Sequence, residues 1–259
     1  MRNMRVLITN DDGIEAAGLL ALEAALTNAG AEVLVSAPDR ERSAASHSMS
    51  LGQTLKIFPR GPGRFAITGT PVDNVHLAVR HLFRDRLPDL VLSGINRGAN
   101  MGCDVNYSGT VAGAREAVLL GLPAIAVSLE LTSDELDYGP AAAFATELAR
   151  LVHRVGLPER TLLNVNVPDL PADKIHGARL AVLGRRRYNN YVEAWENEQG
   201  EKCCRFGGMV AGGVEIPGSD IMTLAEGYIA VTPFMLDYTH GDALTWLAER
   251  WPAAGLAWE

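Results

Sequence analysis

Met4-Arg5-Val6-Leu7-Ile8, followed by Thr9-Asn10-Asp11-Asp12-Gly13, joins a short apolar run to a doubly acidic turn. Successive side chains of a strand face opposite ways, so Asp11 and Asp12 reach one target only where the chain has begun to turn. Gly13 supplies the permissive backbone for that turn. An apolar strand, an acidic turn and then a helix is the pattern expected at the carboxyl end of a strand in an open α/β sheet, where ligands bind. Carboxylate oxygens suit hard divalent cations such as Mg²⁺, Mn²⁺ or Ca²⁺. A second reading is that one Asp only caps the following helix, and the pentapeptide alone does not separate the two.

Outward from this turn, strand-like and helical periods alternate. Residues 14–29 carry Ala and Leu at helical spacing and stop at Gly30, and residues 31–37 read as a buried strand closed by Pro38. Residues 39–48 have no apolar period and read as a loop. Short strands are expected at 55–58 and 65–68, and longer ones at 89–93, 124–128 and 162–167. Helices are expected at 71–87, 110–120 and 141–155. Buried strands separated by helices define a Rossmann-like, doubly wound, mostly parallel sheet covered on both faces. Past about residue 180 the texture changes. Residues 185–213 are polar and aromatic-rich without a helical period; a short β-like run (228–232) and an amphipathic helix (242–251) follow. The expected organisation is an α/β core, 1–184, and a C-terminal extension, 185–259, made of a β-hairpin arm and a terminal helix. Tyr188, Tyr191, Trp195 and Phe206 argue that the arm buries surface, as an arm exchanged between subunits does, in place of a disordered tail.

The bulk numbers fit a globular chain with a sizeable core: 259 residues, 47% hydrophobic and 21% charged. A net charge of -8 and a pI near 5.3 argue against a nucleic-acid binder that relies on neutralising phosphates. An anionic small substrate needs a local positive charge such as a metal. No apolar run approaches the ~18 residues of a membrane span, and the first strand follows the N-terminus too closely for a signal peptide. Three cysteines, Cys103, Cys203 and Cys204, make no disulfide framework. A cytoplasmic protein is the expectation.

Three strand ends offer polar groups to one rim. The first gives Asn10, Asp11 and Asp12, the loop after the second gives Ser43, and the strand at 89–93 leads to Asn96. Two carboxylates, a hydroxyl and an amide oxygen form an all-oxygen set for a hard divalent ion; without histidine at these turns, zinc is the poorer fit. Asn106-Tyr107-Ser108-Gly109-Thr110-Val111 then enters a helix. Ser108 and Thr110 flanking Gly109 at a helix N-terminus read as an anion seat, or as a simple cap. Beside a cation site, the anion reading points to a phosphate ester. The loop lacks the Lys of a P-loop, and no dinucleotide fingerprint is present. His47 and His240 are the histidines placed to serve as proton donors; the others read as structural, and Cys103 as a small loop residue.

These residues resemble the survival protein E (SurE) family. The resemblance rests on Thr9-Asn10-Asp11-Asp12-Gly13-Ile14, Ala37-Pro38-Asp39-Arg40-Glu41-Arg42-Ser43, Gly69-Thr70-Pro71-Val72-Asp73 and Ser93-Gly94-Ile95-Asn96-Arg97-Gly98, with Ser108-Gly109-Thr110-Val111 following. Leu163-Asn164-Val165-Asn166-Val167-Pro168, Gly184-Arg185-Arg186-Arg187-Tyr188 and Gly227-Tyr228-Ile229-Ala230-Val231-Thr232-Pro233 extend it over nearly the whole chain. The resemblance implies a metal-dependent nucleotidase with Asp11, Asp12, Ser43 and Asn96 holding one divalent cation per subunit, Mg²⁺ or Mn²⁺. It implies nucleoside 5′- and 3′-monophosphate substrates, polyphosphate in some members, and a homodimer or homotetramer with an exchanged C-terminal arm. Asn10, Ser108, Gly109 and Thr110 would then hold the remaining phosphate oxygens. Either water attacks phosphorus beside the cation, or Asp11 or Asp12 attacks directly. A transferase using a nucleotide-linked donor and a non-catalytic nucleotide sensor are the rival functions.

Overall fold

The computed structural model describes residues 4–250, so the last residue of the expected terminal helix, Trp251, and the rest of the extension's tail lie outside the described residues. Strand alternation sorts the core into two layers. In β1 (Arg5–Thr9), Val6 and Ile8 enter one hydrophobic cluster and Leu7 the other. The same split recurs in β5 (Leu90–Arg97), where Leu90 and Leu92 oppose Val91, and in β6 (Ala124–Leu129), where Ile125 and Val127 oppose Ala124 and Ala126. Strands buried on both faces are continuous apolar runs, as parallel sheets require.

The parallel core also contains β2 (Glu32–Pro38), β4 (Arg64–Ile67) and β7 (Thr161–Val167), in the spatial order β4-β2-β1-β5-β6-β7. Ranked along the chain this is 3-2-1-4-5-6, the doubly wound order, and its switch point falls between β1 and β5. Helices α1 (Ala17–Asn28) and α4 (Gly139–Val155) pack together on one face; α2 (Pro71–Leu77) and α3 (Gly109–Leu119) pack on the other. Antiparallel β3 (Ile57–Gly61) closes one edge on β4.

Two helices are shorter than their periodicity suggests. Helix α1 begins at Ala17, not at 14, because Gly13 takes φ +104° and the Ile14 N–H is drawn to the Pro38 carbonyl at 2.9 Å. Helix α2, opened by a Thr70–Asp73 capping box, gives way to a π-turn over Ala78–Leu82. The chain leaves it at Phe83, whose ring meets Phe65 at 5.9 Å, and the following Arg84-Asp85-Arg86 supply no apolar stripe.

The C-terminal part leaves the core at Gly184 as a two-stranded arm, β9 (Arg186–Glu196) and β10 (Lys202–Gly213). The boundary at 184 does not separate two units, however. After β8 (Ala178–Leu180), the arm and α5 (Asp220–Ala225), strand β11 (Ile229–Met235) returns to the main sheet between β7 and β8. Its pairing with β7 runs from Ala230–Asn166 to Met235–Thr161. Helix α6 (Gly241–Arg250) follows, and none of its residues is buried. Among the described residues no helix is long and apolar enough to cross a membrane.

Candidate active site

The two strands at the switch point bring the acidic turn and Asn96 together. The loop after β2 closes over the turn: the Arg42 N–H donates to the Asp11 carbonyl at 2.7 Å, and a Cβ on Gly13 would lie 3.2 Å from the Arg40 backbone. This brings Ser43 to the rim, its hydroxyl donating to Glu41. On the far side the pairing of β5 with β6 slips between Ser93 and Asn96. Gly94 makes the slip possible, since a Cβ there would stand 2.2 Å from the Val127 carbonyl oxygen. The Asn96 Nδ2 donates to the Gly98 carbonyl at 2.8 Å, leaving its Oδ1 as the available donor atom for a cation. Asp11, Asp12, Ser43 and Asn96 all line one cavity of about 670 Å³.

The wall of this cavity is acidic. Burial pushes the Asp11 carboxyl up; the Thr110 hydroxyl and the backbone N–H groups of Asp11, Thr110 and Gly109 offset part of the rise. Burial also raises Asp12, to about 6, reinforced by the charges of Asp11 and Glu41, while the Arg97 N–H, 3.2 Å from its Oδ2, works against the rise. Glu41, Asp104 and Asp134 add carboxylates to the wall. The wall's Arg97 guanidinium points to Asp134 at 3.4 Å, and among the described residues neither Asp11 nor Asp12 forms an ion pair. No group of three or more His, Cys, Asp or Glu side chains among the described residues is arranged as a metal site. Here half of the oxygen donors come instead from a hydroxyl and an amide. Two carboxylates raised by burial, with Asn96 Oδ1 and the Ser43 hydroxyl, fit a hard divalent ion, which keeps waters in its shell.

The expected phosphate seat is arranged differently. Ser108 caps α3, its Oγ accepting the Val111 N–H at 3.0 Å, and it lines the cavity. Thr110 is fully buried and its hydroxyl is spent on Asp11 Oδ1. Gly109 lies so close that a Cβ would stand 2.8 Å from Asp11 Oδ2. The anion at the α3 N-terminus is therefore Asp11 itself. Asn10 is also fully buried and closes its own turn, donating to the Gly13 carbonyl at 2.8 Å and accepting the Gly13 N–H at 3.2 Å. It braces the acidic turn and does not face the cavity.

Neither histidine marked as a proton donor lines the cavity. His47 Nε2 meets Glu116 at 3.0 Å, and His240 Nδ1 accepts the Ala243 N–H at the start of α6. Cys103 is exposed and free. Glu41 and Asn100 line the cavity although neither stands out in the sequence. Asn100 is held from β7 by Asn164 and Asn166.

Comparison with known proteins agrees with this fold. The family model for "Survival protein SurE" matches residues 6–190. The chain is 43% identical over 244 residues to "5'-nucleotidase SurE" of Geobacter metallireducens, covering 94% of this chain and 96% of the relative. It is 48% identical over 256 residues to the protein of the same description from Anaeromyxobacter dehalogenans, covering 97% of each. The crystal structure of the Sure protein from Aquifex aeolicus superposes with a TM-score of 0.84 at 35% identity, over 95% of this chain and 98% of that one.

Proposed function

Because the chain belongs to the survival protein SurE family, we infer that it is a metal-dependent 5′-nucleotidase that hydrolyses nucleoside monophosphates to nucleoside and phosphate. The observation that carries the metal dependence is the pair Asp11–Asp12, both raised by burial and without an ion-pair partner among the described residues. A dianionic phosphate ester does not approach such a wall unless a cation intervenes. Asp11, Asp12, Ser43 and Asn96 would hold one Mg²⁺ or Mn²⁺. When bound, that ion supplies charge neutralisation to the phosphoryl group and acidifies nearby water.

The chain's own groups do the positioning. Thr110 and Gly109 fix the rotamer of Asp11, and the Arg97 N–H fixes Asp12. Asp11 Oδ1 and Asp12 Oδ2 each accept a hydrogen bond already, which favours water over a carboxylate as the attacking group. Water's oxygen then bonds to phosphorus as the ester P–O bond breaks, and the proton that the water gives up is balanced by the one the leaving alkoxide takes up. Ser108, at the cavity wall beside the α3 N-terminus, is placed to meet a phosphate oxygen. Nucleoside 3′-monophosphates and polyphosphate are further substrates to include, and the cytoplasm is the expected compartment.

The arm supports a homodimer or homotetramer. Tyr191, Val192, Trp195 and Phe206 stand exposed on it, Phe206 at 85%. A second copy of the chain exchanging its arm would cover them. The activity is tested by phosphate release from 5′- and 3′-nucleotides and polyphosphate, with Mg²⁺, with Mn²⁺ and with EDTA. Release that is abolished by EDTA and restored by either metal is the expected result. No release under any condition removes the phosphatase reading, and undiminished release in EDTA removes the metal.

A further inference from the structure

Cleavage of a nucleoside ester releases a strongly basic alkoxide that needs a proton, and neither His47 nor His240 lines the cavity. The wall holds other carriers of polar hydrogen. Asn96, Asn100 and Arg97 do not give up protons near neutral pH. The carboxylates beyond the Asp11–Asp12 pair serve as acceptors: Glu41 from Ser43, Asp104 from Tyr188 and Arg186, and Asp134 from Arg97. The Ser108 hydroxyl is too weak an acid. Two phenols remain on the wall, Tyr107 and Tyr138. Tyr107 stands 67% exposed, whereas Tyr138 is half-buried and packed against the α1/α4 layer of the core.

Tyr138 is held by its ring, not by its hydroxyl. It precedes the first turn of α4, and its Cε1 lies 2.9 Å from the point where a Cβ on Gly18 would stand, so the bare glycine lets the ring lie on α1. The hydroxyl bonds to no described residue. Burial, and then the charge of Asp12, push the phenol up. It therefore keeps its proton at neutral pH, and it lies within the field of the acidic turn. Ser108 caps α3 on one face of the sheet and Tyr138 opens α4 on the other, so the two flank that turn from opposite sides. Ala16, Ala17 and Leu136 give the Tyr138 side of the wall an apolar surface. Phosphate belongs with the Asp pair and Ser108, and the uncharged nucleoside belongs against the apolar side. The ester oxygen that joins them then falls beside the phenol.

Resting on the nucleotidase reading, we propose that Tyr138 is a catalytic residue, the general acid whose hydroxyl gives its proton to the leaving 5′ oxygen. As the P–O bond breaks, its electron pair stays on that oxygen and takes the phenol's proton. The phenolate regains a proton from the water that has bonded to phosphorus. The test compares Tyr138→Phe with wild type, both metal-loaded, on adenosine 5′-monophosphate and on its analogue with sulfur as the bridging 5′ atom. A thiolate is a far weaker base than an alkoxide and leaves without a proton. Phenylalanine keeps the ring on Gly18 and breaks no hydrogen bond among the described residues, so the thermal melt is expected to be unchanged. On the oxygen ester kcat is expected to fall about 100-fold with KM within about threefold. On the sulfur analogue kcat falls by less than about threefold. Equal losses on both substrates, a loss in KM alone, or a loss below about threefold on the oxygen ester would each overturn the proposal. A wild-type enzyme that releases phosphate from neither substrate removes the nucleotidase reading itself, a separate outcome.

Discussion

Replacing Gly109 by alanine adds one methyl group in the first turn of α3. That carbon would lie 2.8 Å from both Cβ and Oδ2 of Asp11, whereas ordinary contacts begin at 3.4 Å. Asp11 must therefore retreat by about 0.6 Å, and being buried it retreats only by disturbing its bond to Thr110. Misplacing a catalytic group by ~1 Å costs on the order of 10² in rate, so kcat/KM is expected to fall roughly 30- to 100-fold. Stability moves far less. Alanine gains about 0.5–1 kcal/mol over glycine inside a helix, against about 1–3 kcal/mol for overpacking. The net is a loss of about 0–2.5 kcal/mol, a Tm shift of only a few degrees for a chain this size. The assay pairs steady-state phosphate release at saturating Mg²⁺ or Mn²⁺ with a thermal melt and a calorimetric metal titration. A cooperatively folded variant with activity within threefold of wild type would refute the reasoning.

Asp12→Asn removes a cation donor, so kcat falls by about 10²–10³, while the metal-free protein gains thermal stability because a crowded buried anion is gone. With its folded pKa at about 6 against an ordinary 3.8, Asp12 makes metal-free stability greatest below about pH 4, declining as pH rises through 6; melts in EDTA across that range, flatter for the variant, check both statements. Glu116 has the opposite sign: burial raises it, but hydrogen bonds from His47 and His76 outweigh burial and hold it below its ordinary value. Its contribution is present at neutral pH and lost as pH falls through that lowered pKa, so Glu116→Gln costs about 1–3 kcal/mol in urea unfolding at pH 7 and less near pH 4. Phe206→Glu places a charge on the arm's exposed face and is expected to shift light-scattering mass toward the 27.8 kDa monomer; an unchanged oligomer counts against the arm as the contact.

The parallel core was legible because its strands are buried on both faces. Runs such as 89–93 and 124–128 contain no charged residue to blur the pattern past the first position, and each strand appears within a few residues of its expected place. Strand order was not legible, since local periodicity carries no pairing information. Strand β11 was read only as a short β-like run because its return to the sheet depends on β7, which lies some sixty residues earlier. That Asp11, Asp12, Ser43 and Asn96 meet at one cavity was legible because each follows a strand end on the same rim. The roles of Asn10 and Thr110 were not. A polar side chain that braces a turn from behind looks the same in sequence as one that faces a ligand, and only the bonds to Gly13 and Asp11 distinguish them. Asn100 was hidden for another reason: its position is set by Asn166, 66 residues away.

The placement of Asp11 at the N-terminus of α3 also bears on how the proposed phosphate site would be built from carboxylates. Free N–H groups at a helix start attract anions, and in a simpler site they would take the phosphate directly. Here Gly109 and Thr110 turn that attraction onto Asp11, keeping a buried carboxylate more ionised than burial alone allows. The helix thus stabilises the protein's own anion, and on the proposed reading a cation carries that attraction onward to the substrate. A phosphate ester meeting the cavity without the cation faces Asp11, Asp12 and Glu41 together. Binding of substrate should consequently depend on metal as steeply as turnover does, and equilibrium dialysis of a non-hydrolysable nucleotide analogue with and without EDTA measures this. Tight analogue binding in EDTA would mean that Ser108 and the remaining wall suffice, and that the carboxylate pair serves the chemical step alone.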